Sequence, residues 1–230
     1  MIHNRKVAAL VPIKGHSERV KGKNFRDFCG KPLYHHIIHT LDRVCAIDEV
    51  IIDTDSQRVI AEAPKLSSKI QIIERPAELC GDYISTNRIF EYDLSQTKAD
   101  IYVQTHATNP ILKAETIAKA IAKFISTEDE YDSLFSVNVY QNRFYMYDGT
   151  PINHDPENLI RTQDLRPIYE ENSSLYVFTK ESFKKKGRRI GINPFMFVTP
   201  PIESTDIDDE LTFRIAELLA LYASKEISEL

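Results

Sequence analysis

Lys14, Arg19, Lys21, Lys23, Arg26 and Lys31 crowd one short stretch, opposed only by Glu18 and Asp27, in a chain whose net charge is −5. The part from Lys14 to Asn24 also carries Gly15, Gly22 and the hydroxyl of Ser17. Glycines let backbone N–H groups approach phosphate oxygens, and such a set of cations offsets the roughly four charges of a triphosphate. Neither G-x-x-x-x-G-K-[ST] nor G-x-G-x-x-G occurs, which removes most support for an ATPase or dinucleotide loop. A solvated basic loop is the plainer alternative. Near the other end, Asp206-Ile207-Asp208, if extended, points two carboxylates to one side, as a Mg²⁺ site requires. The same acids also suit the amino-terminal cap of a helix, and Asp53-Thr54-Asp55 competes for the metal role.

The elements that must position these groups alternate. Apolar runs at residues 7–13, 50–52, 70–73 and 101–104 read as strands. Between and after them, helical periodicity covers residues 32–44, 57–63, 86–94 and 114–125, with Pro32 suited to a first helical turn. This rhythm predicts an α/β fold with a doubly wound, mostly parallel sheet and a site at the carboxyl ends of its strands. After residues 133–139 the rhythm breaks. Residues 143–147, followed by Asp148-Gly149, read as a strand and turn, so 140–167 is expected to be a β-rich excursion within one domain spanning 1–230. Strands at 174–179 and 195–198 and an acid-started helix at 209–224 complete the pattern.

Composition narrows the function. A 230-residue chain that is 42% hydrophobic can bury one sizeable core. Its acidity argues against a nucleic-acid partner, which a basic surface would serve. The absence of about 18 consecutive apolar residues predicts no membrane span, and no signal peptide is read at the start. Cys29, Cys45 and Cys80 are odd in number and widely spaced, so no disulfide framework or zinc site is expected, in keeping with a cytoplasmic protein.

Four stretches together resemble the acylneuraminate cytidylyltransferases, the CMP-sialic acid synthetase family. The first is the cationic loop, where Ser17, Arg19, Lys23 and Asn24 match, followed by Phe28-Cys29-Gly30-Lys31-Pro32-Leu33. Lys14 stands where the family has arginine; it keeps the charge but not the bidentate fork. The second is Arg75-Pro76-Ala77-Glu78-Leu79 with Asp82 and Ser85-Thr86. The third runs from Arg161-Thr162-Gln163-Asp164-Leu165 to Asn172 and Tyr176, and the fourth is Ser204-Thr205-Asp206-Ile207-Asp208. Gln104 before Thr105-His106-Ala107-Thr108-Asn109-Pro110 is similar to the family's glutamine before a Thr-x-Pro turn.

The resemblance implies a homodimeric, Mg²⁺-dependent enzyme, with the excursion packing on the partner, that transfers CMP from CTP to a nine-carbon 2-keto-3-deoxy sugar acid. On that reading Lys14, Arg19, Lys23 and Asp208 act in catalysis. Lys14, Ser17, Arg19, Lys23, Asn24, Arg75, Ser85 and Thr86 hold the nucleotide. Gln104, Arg161, Gln163 and Asn172 face the sugar, and Asp206 and Asp208 hold the metal. Asn172 as a turn former and Tyr176 as a core residue are the structural alternatives, and His106 is given no catalytic role. A cytidylyltransferase for the eight-carbon acid Kdo, a different sugar nucleotidyltransferase, a glycosyltransferase using Asp53-x-Asp55, and an inactive nucleotide-binding homologue stay open as rivals.

Overall fold

The computed structural model describes residues 5–17, 20–81 and 83–228, with side chains as far as Ala223. Arg19 and Asp82 lie outside the described residues.

The first strand, β1 (Val7–Ile13), shows how the chain builds two layers on one sheet. Alternate strand residues point to opposite faces, and both faces of β1 are covered. Val7, Ala9, Val11 and Ile13 enter one core cluster. Ala8 and Leu10 enter another. A strand buried on both faces is the mark of a parallel sheet wrapped by helices.

The first cluster gathers α1 (Leu33–Asp42), α2 (Gln57–Glu62) and α4 (Ala114–Ser126). The second gathers α3 (Thr86–Gln96), through Phe90 and Leu94, and α5 (Lys180–Lys186), through Phe183. The last helix, α6 (Glu210–Ser228), closes a third cluster in which Phe213 meets Phe28, Leu33 and Ile207.

The other strands are the short pair β2 (Asp27–Phe28) and β3 (Lys31–Pro32), then β4 (Glu49–Thr54), β5 (Ile70–Glu74), β6 (Ile101–Thr105), β7 (Ser133–Tyr140), β8 (Ile168–Phe178) and β9 (Pro194–Val198). The main sheet has seven strands in the order β5-β4-β1-β6-β8-β7-β9. Among them β8 runs against its neighbours β6 and β7, and the other pairings are parallel. The expected doubly wound, mostly parallel sheet is therefore present. From β1 the chain winds outward through β4 and β5, then returns to the opposite side of β1 as β6. That reversal opens a crevice at the carboxyl ends of the strands, where such sheets bind ligands.

The excursion differs from its expected form. Among the described residues, 141–167 hold one bridge, between Tyr145 and Pro151, and one short 3-10 turn, Thr162–Asp164. Residues 143–147 do not form a strand. The β structure lies instead at its base, where β8 begins at Ile168 and pairs with β7 as far as Tyr140. The β7–β8 register shifts between Phe135 and Val137, and Ser173 in β8 takes a left-handed φ of 57°. Pro32 stands at the cap of α1 rather than in its first turn.

Candidate active site

A cavity of about 400 Å³ occupies the crevice. Among the described residues its walls come from five places in the sequence: Lys14, His16, Ser17, Lys23 and Asn24 after β1, Arg75 after β5, Thr86 at the start of α3, His106 and Thr108 after β6, and Asp208 ahead of α6. Seven of the expected nucleotide and catalytic residues thus share one chamber: Lys14, Ser17, Lys23, Asn24, Arg75, Thr86 and Asp208.

Local chemistry shapes the loop after β1. The Asn24 amide donates to the Lys14 carbonyl at 2.9 Å, closing the loop on itself. Gly15 N–H donates to Asp55 Oδ1 at 2.6 Å. A Cβ on Gly15 would come 3.2 Å from Ser56 Cβ and 3.3 Å from Asp55 Oδ1, so a side chain there would need these neighbours to give way slightly. Asp55 is thereby committed to the loop.

Asp53 is fully buried and ion-paired with Arg75, whose backbone N–H also donates to the Thr54 carbonyl. Asp53-Thr54-Asp55 accordingly serves as scaffold, and its competing metal role is set aside. Beneath Arg75, Asp93 of α3 is 1% exposed. Burial, and then Asp53, push its carboxyl well up. Asp53 and Asp93 each keep one buried oxygen without a partner. Two carboxylates in contact cannot both ionise in such surroundings, so they share a proton beside one guanidinium.

At the opposite wall, Ile207 is fully buried against Phe28 and Phe213, and its N–H donates to the Thr108 carbonyl. Burying that side chain contributes about 2 kcal/mol and pins the acidic stretch. Lys23 Nζ donates to the Ile207 carbonyl. Asp208 lines the cavity, while half-buried Asp206 keeps Oδ1 without a partner. Desolvation first, and Asp208 in addition, raise the Asp206 carboxyl; Thr108 and Lys23 act against that shift. An orphaned carboxylate oxygen beside a second carboxylate suits Mg²⁺, which takes one or two carboxylates and completes its shell with phosphate and water. No cluster of three ligating side chains occurs among the described residues.

The other expected residues among those described lie off the cavity wall. Ser85 caps α3, accepting from Asn87 N–H. Gln104 is fully buried. Its Oε1 accepts from Arg189, and its Nε2 donates to the Thr105 carbonyl and meets His106 Nε2 at 3.0 Å. Because an amide NH₂ only donates, His106 Nε2 must accept, which leaves the proton on Nδ1. Burial first, then Arg189 and Lys23, hold that imidazole down at about 3, so it is neutral at physiological pH.

Asn172 has its amide engaged within the sheet: Oδ1 accepts from Ser136 and Ser174 N–H, and Nδ2 donates to Asn138 and Thr199. It braces the β8 irregularity. Tyr176 is core, as its structural alternative had it. Arg161 and Gln163 are exposed in the excursion, with Arg161 paired to Asp164. Sequence reasoning passed over Arg189 and Asp93, whose positions belong to no local motif.

The fold and the chamber are those of an α/β protein with a ligand-sized crevice at the switch point of its sheet. Residues 8–227 match the family model described as Cytidylyltransferase, and the chain belongs to that family. Its relatives agree with the resemblance read from the four motifs. The chain is 26% identical to a pseudaminic acid cytidylyltransferase of Campylobacter jejuni, over 91% of this chain and 94% of the relative. It is 25% identical to the CMP-N,N'-diacetyllegionaminic acid synthase of Legionella pneumophila, over 93% and 96%. Against N-acylneuraminate cytidylyltransferase A of Danio rerio it is 26% identical over 93% of this chain, matching 50% of that longer protein. Among solved structures, a CMP:2-keto-3-deoxy-manno-octonic acid synthetase complexed with CTP shares the fold with TM-score 0.66 at 15% identity, covering 96% of this chain and 99% of the other.

Proposed function

We propose that this chain transfers CMP from CTP to the anomeric hydroxyl of a nonulosonic acid, a nine-carbon 2-keto-3-deoxy sugar acid, and releases pyrophosphate. The observation that carries this reading is the meeting of Lys14, Lys23 and Asp208 on one cavity at the switch point of the sheet. The hydroxyl oxygen forms a bond to the α-phosphorus, the bond from that phosphorus to the bridging oxygen breaks, pyrophosphate leaves, and the hydroxyl proton passes to solvent.

Catalysis of this kind is mostly positioning and charge stabilisation. Lys14 and Lys23 neutralise charge gathering on the leaving pyrophosphate, together with Arg19. Ser17, Asn24 and Thr86 shape the cradle, and Arg75, fixed by Asp53, stiffens its wall. Mg²⁺ held by Asp206 and Asp208 would supply further neutralisation at the α-phosphate and lower the pKa of the attacking hydroxyl. His106 is too weak a base to serve as general base and acts as a neutral donor through Nδ1.

Apolar side chains exposed on the excursion and its base, among them Tyr145, Met146, Leu159 and Tyr169, support a homodimer in which this segment packs on the partner. No helix among the described residues is long and apolar enough to cross a membrane. Dependence on CTP favours the cytoplasm, where that nucleotide is made.

The test is incubation of the purified protein with CTP, Mg²⁺ and a panel containing N-acetylneuraminic, pseudaminic, N,N'-diacetyllegionaminic and 2-keto-3-deoxy-manno-octonic acids. Products are read by mass spectrometry and pyrophosphate release. A CMP-linked nine-carbon acid is the expected product. Preference for the eight-carbon acid would move the protein to the rival branch, and tight CTP binding without any product would mark an inactive homologue.

A further inference from the structure

The turn between α5 and β9 carries a cation that the nucleotide chemistry does not use. The Arg189 guanidinium lies 3.9 Å from the Tyr176 ring centroid and 5.3 Å from that of Phe90, and it donates to Gln104 Oε1. Desolvation weakens its hold on its proton, with Tyr176 and Glu171 acting in the opposite sense. Among the described residues no carboxylate comes within ion-pair distance of it: Glu171 acts from farther off and accepts from the Tyr176 hydroxyl.

A guanidinium has five N–H donors, and stacking on two rings satisfies none of them. A cation this sheltered, without a directly paired anion, is costly to maintain unless an anion arrives. Its position states which anion. Gln104 and His106 stand at the carboxyl end of β6, and His106 lines the chamber that Lys23 also lines. The fields of both Arg189 and Lys23 reach the His106 ring. Lys23 belongs to the loop suited to phosphates, whereas Arg189 approaches through the glutamine expected to face the sugar.

We propose, resting on the function argued above, that Arg189 binds the carboxylate of the acceptor sugar acid. Its planar fork matches a carboxylate with two parallel hydrogen bonds. Arg161, the position to which the motif resemblance assigned the sugar, has a side chain 72% exposed and already paired with Asp164. Through Gln104, the same guanidinium also fixes the His106 tautomer, so carboxylate binding and the orientation of the chamber wall are linked.

The turn is built to hold that arginine. Gly191 N–H donates to Ser133 Oγ at 2.8 Å, and the Asp132 carboxylate accepts from Ile192 and Asn193 N–H at 2.7 and 3.1 Å. A Cβ on Gly191 would fall 2.2 Å from Asp132 Oδ1, so only glycine leaves room for this clasp.

The experiment compares wild type, Arg189→Ala, Arg189→Lys and Arg161→Ala in steady-state assays with the best acid from the panel, alongside CTP binding by calorimetry. Loss of a hydrogen bond to a charged group typically costs about 10- to 100-fold. Arg189→Ala is expected to raise KM for the sugar acid by that factor, with CTP affinity changed less than about twofold, and Arg189→Lys to recover part of the loss. Competition by the acid's C1 methyl ester provides a second readout. Wild type should prefer acid over ester, and Arg189→Ala should bind both alike. An unchanged acid KM, a preserved acid-over-ester preference, or a larger effect of Arg161→Ala overturns the assignment while leaving the function intact. Failure of wild type to make any CMP-sugar removes the function itself, and this inference with it. If Arg189→Ala does not fold, Arg189→Lys decides by the same acid-to-ester comparison.

Discussion

The Lys23 ammonium donates to the backbone carbonyl of Ile207, a bond spanning 184 positions of the chain. The bond places a cation from the loop after β1 directly on the residue that separates Asp206 from Asp208. The loop proposed to hold phosphates and the acidic pair proposed to hold Mg²⁺ are thus joined directly.

Asp208 is exposed and outside every core cluster, so Asp208→Ala is expected to leave the thermal midpoint within a few degrees of wild type. CMP-sugar formation should fall by at least about 100-fold, the usual scale for losing one group that stabilises transition-state charge. Calorimetry and a pyrophosphate-release assay measure the two effects separately, and normal turnover in this variant would remove Asp208 from the metal site.

The Asp53–Asp93 pair makes stability depend on pH in a direction opposite to most carboxylates. Burial raises the folded-state value of Asp93 to about 9, so the folded chain keeps a proton that the unfolded chain releases in the ordinary carboxylate range. The stabilisation is complete below that range and is lost as pH rises toward about 9. Asp93→Asn, which keeps a donor without titrating, should flatten this fall. Thermal midpoints of both proteins measured from pH 5 to pH 9 should diverge in favour of the variant at the alkaline end. Parallel curves would mean that the pair does not hold a shared proton.

His106 should give no titration near its usual value in the folded protein, because burial and two cations hold it neutral. Proton NMR of the ring is expected to show no protonation step between pH 5 and pH 8. Removing Arg189 relieves one of those cations, so Arg189→Ala should move the His106 value upward. An alkaline limb in kcat/KM that follows His106 would contradict its assignment as a neutral donor.

The exposed apolar group on the excursion should be covered in solution. Light scattering is expected to report a dimer for the wild type, and the double variant Tyr145→Asp, Met146→Asp should shift it toward monomer. A monomeric wild type at micromolar concentration would remove the partner from the proposed architecture.

Much of this arrangement was legible in residue order. Val7, Ala9 and Val11 alternate with Ala8 and Leu10, yet all are apolar, and that pattern already implies a strand covered on both faces. The glycines and cations from Lys14 to Asn24 form a contiguous signal, and Asp206-Ile207-Asp208 carries its own two-residue period. The groups brought together by winding were not legible. Arg189 acts beside Gln104 only because β8 lies next to β6, and Asp93 meets Asp53 only because α3 packs under β4. Residues 143–147 misled because their aromatic content resembles a strand, whereas in the fold they have one bridge to pair with, and Tyr145 and Tyr147 are exposed. The hydrogen bonds that tie Asn172 to Ser136, Asn138, Thr199 and Ser174 were not legible either, because they depend on β7, β8 and the end of β9 meeting in space.

The clasp of Asp132 on the Ile192 and Asn193 N–H groups, closed over Gly191, has a bearing on how this scaffold can be re-engineered or diverge. The shape of the turn that presents Arg189 is dictated from the entrance of β7, far away in the chain but adjacent in space. Grafting in a turn that carries any side chain at 191 would bring it into collision with the aspartate left behind. Replacing this turn therefore calls for moving both segments as a matched set.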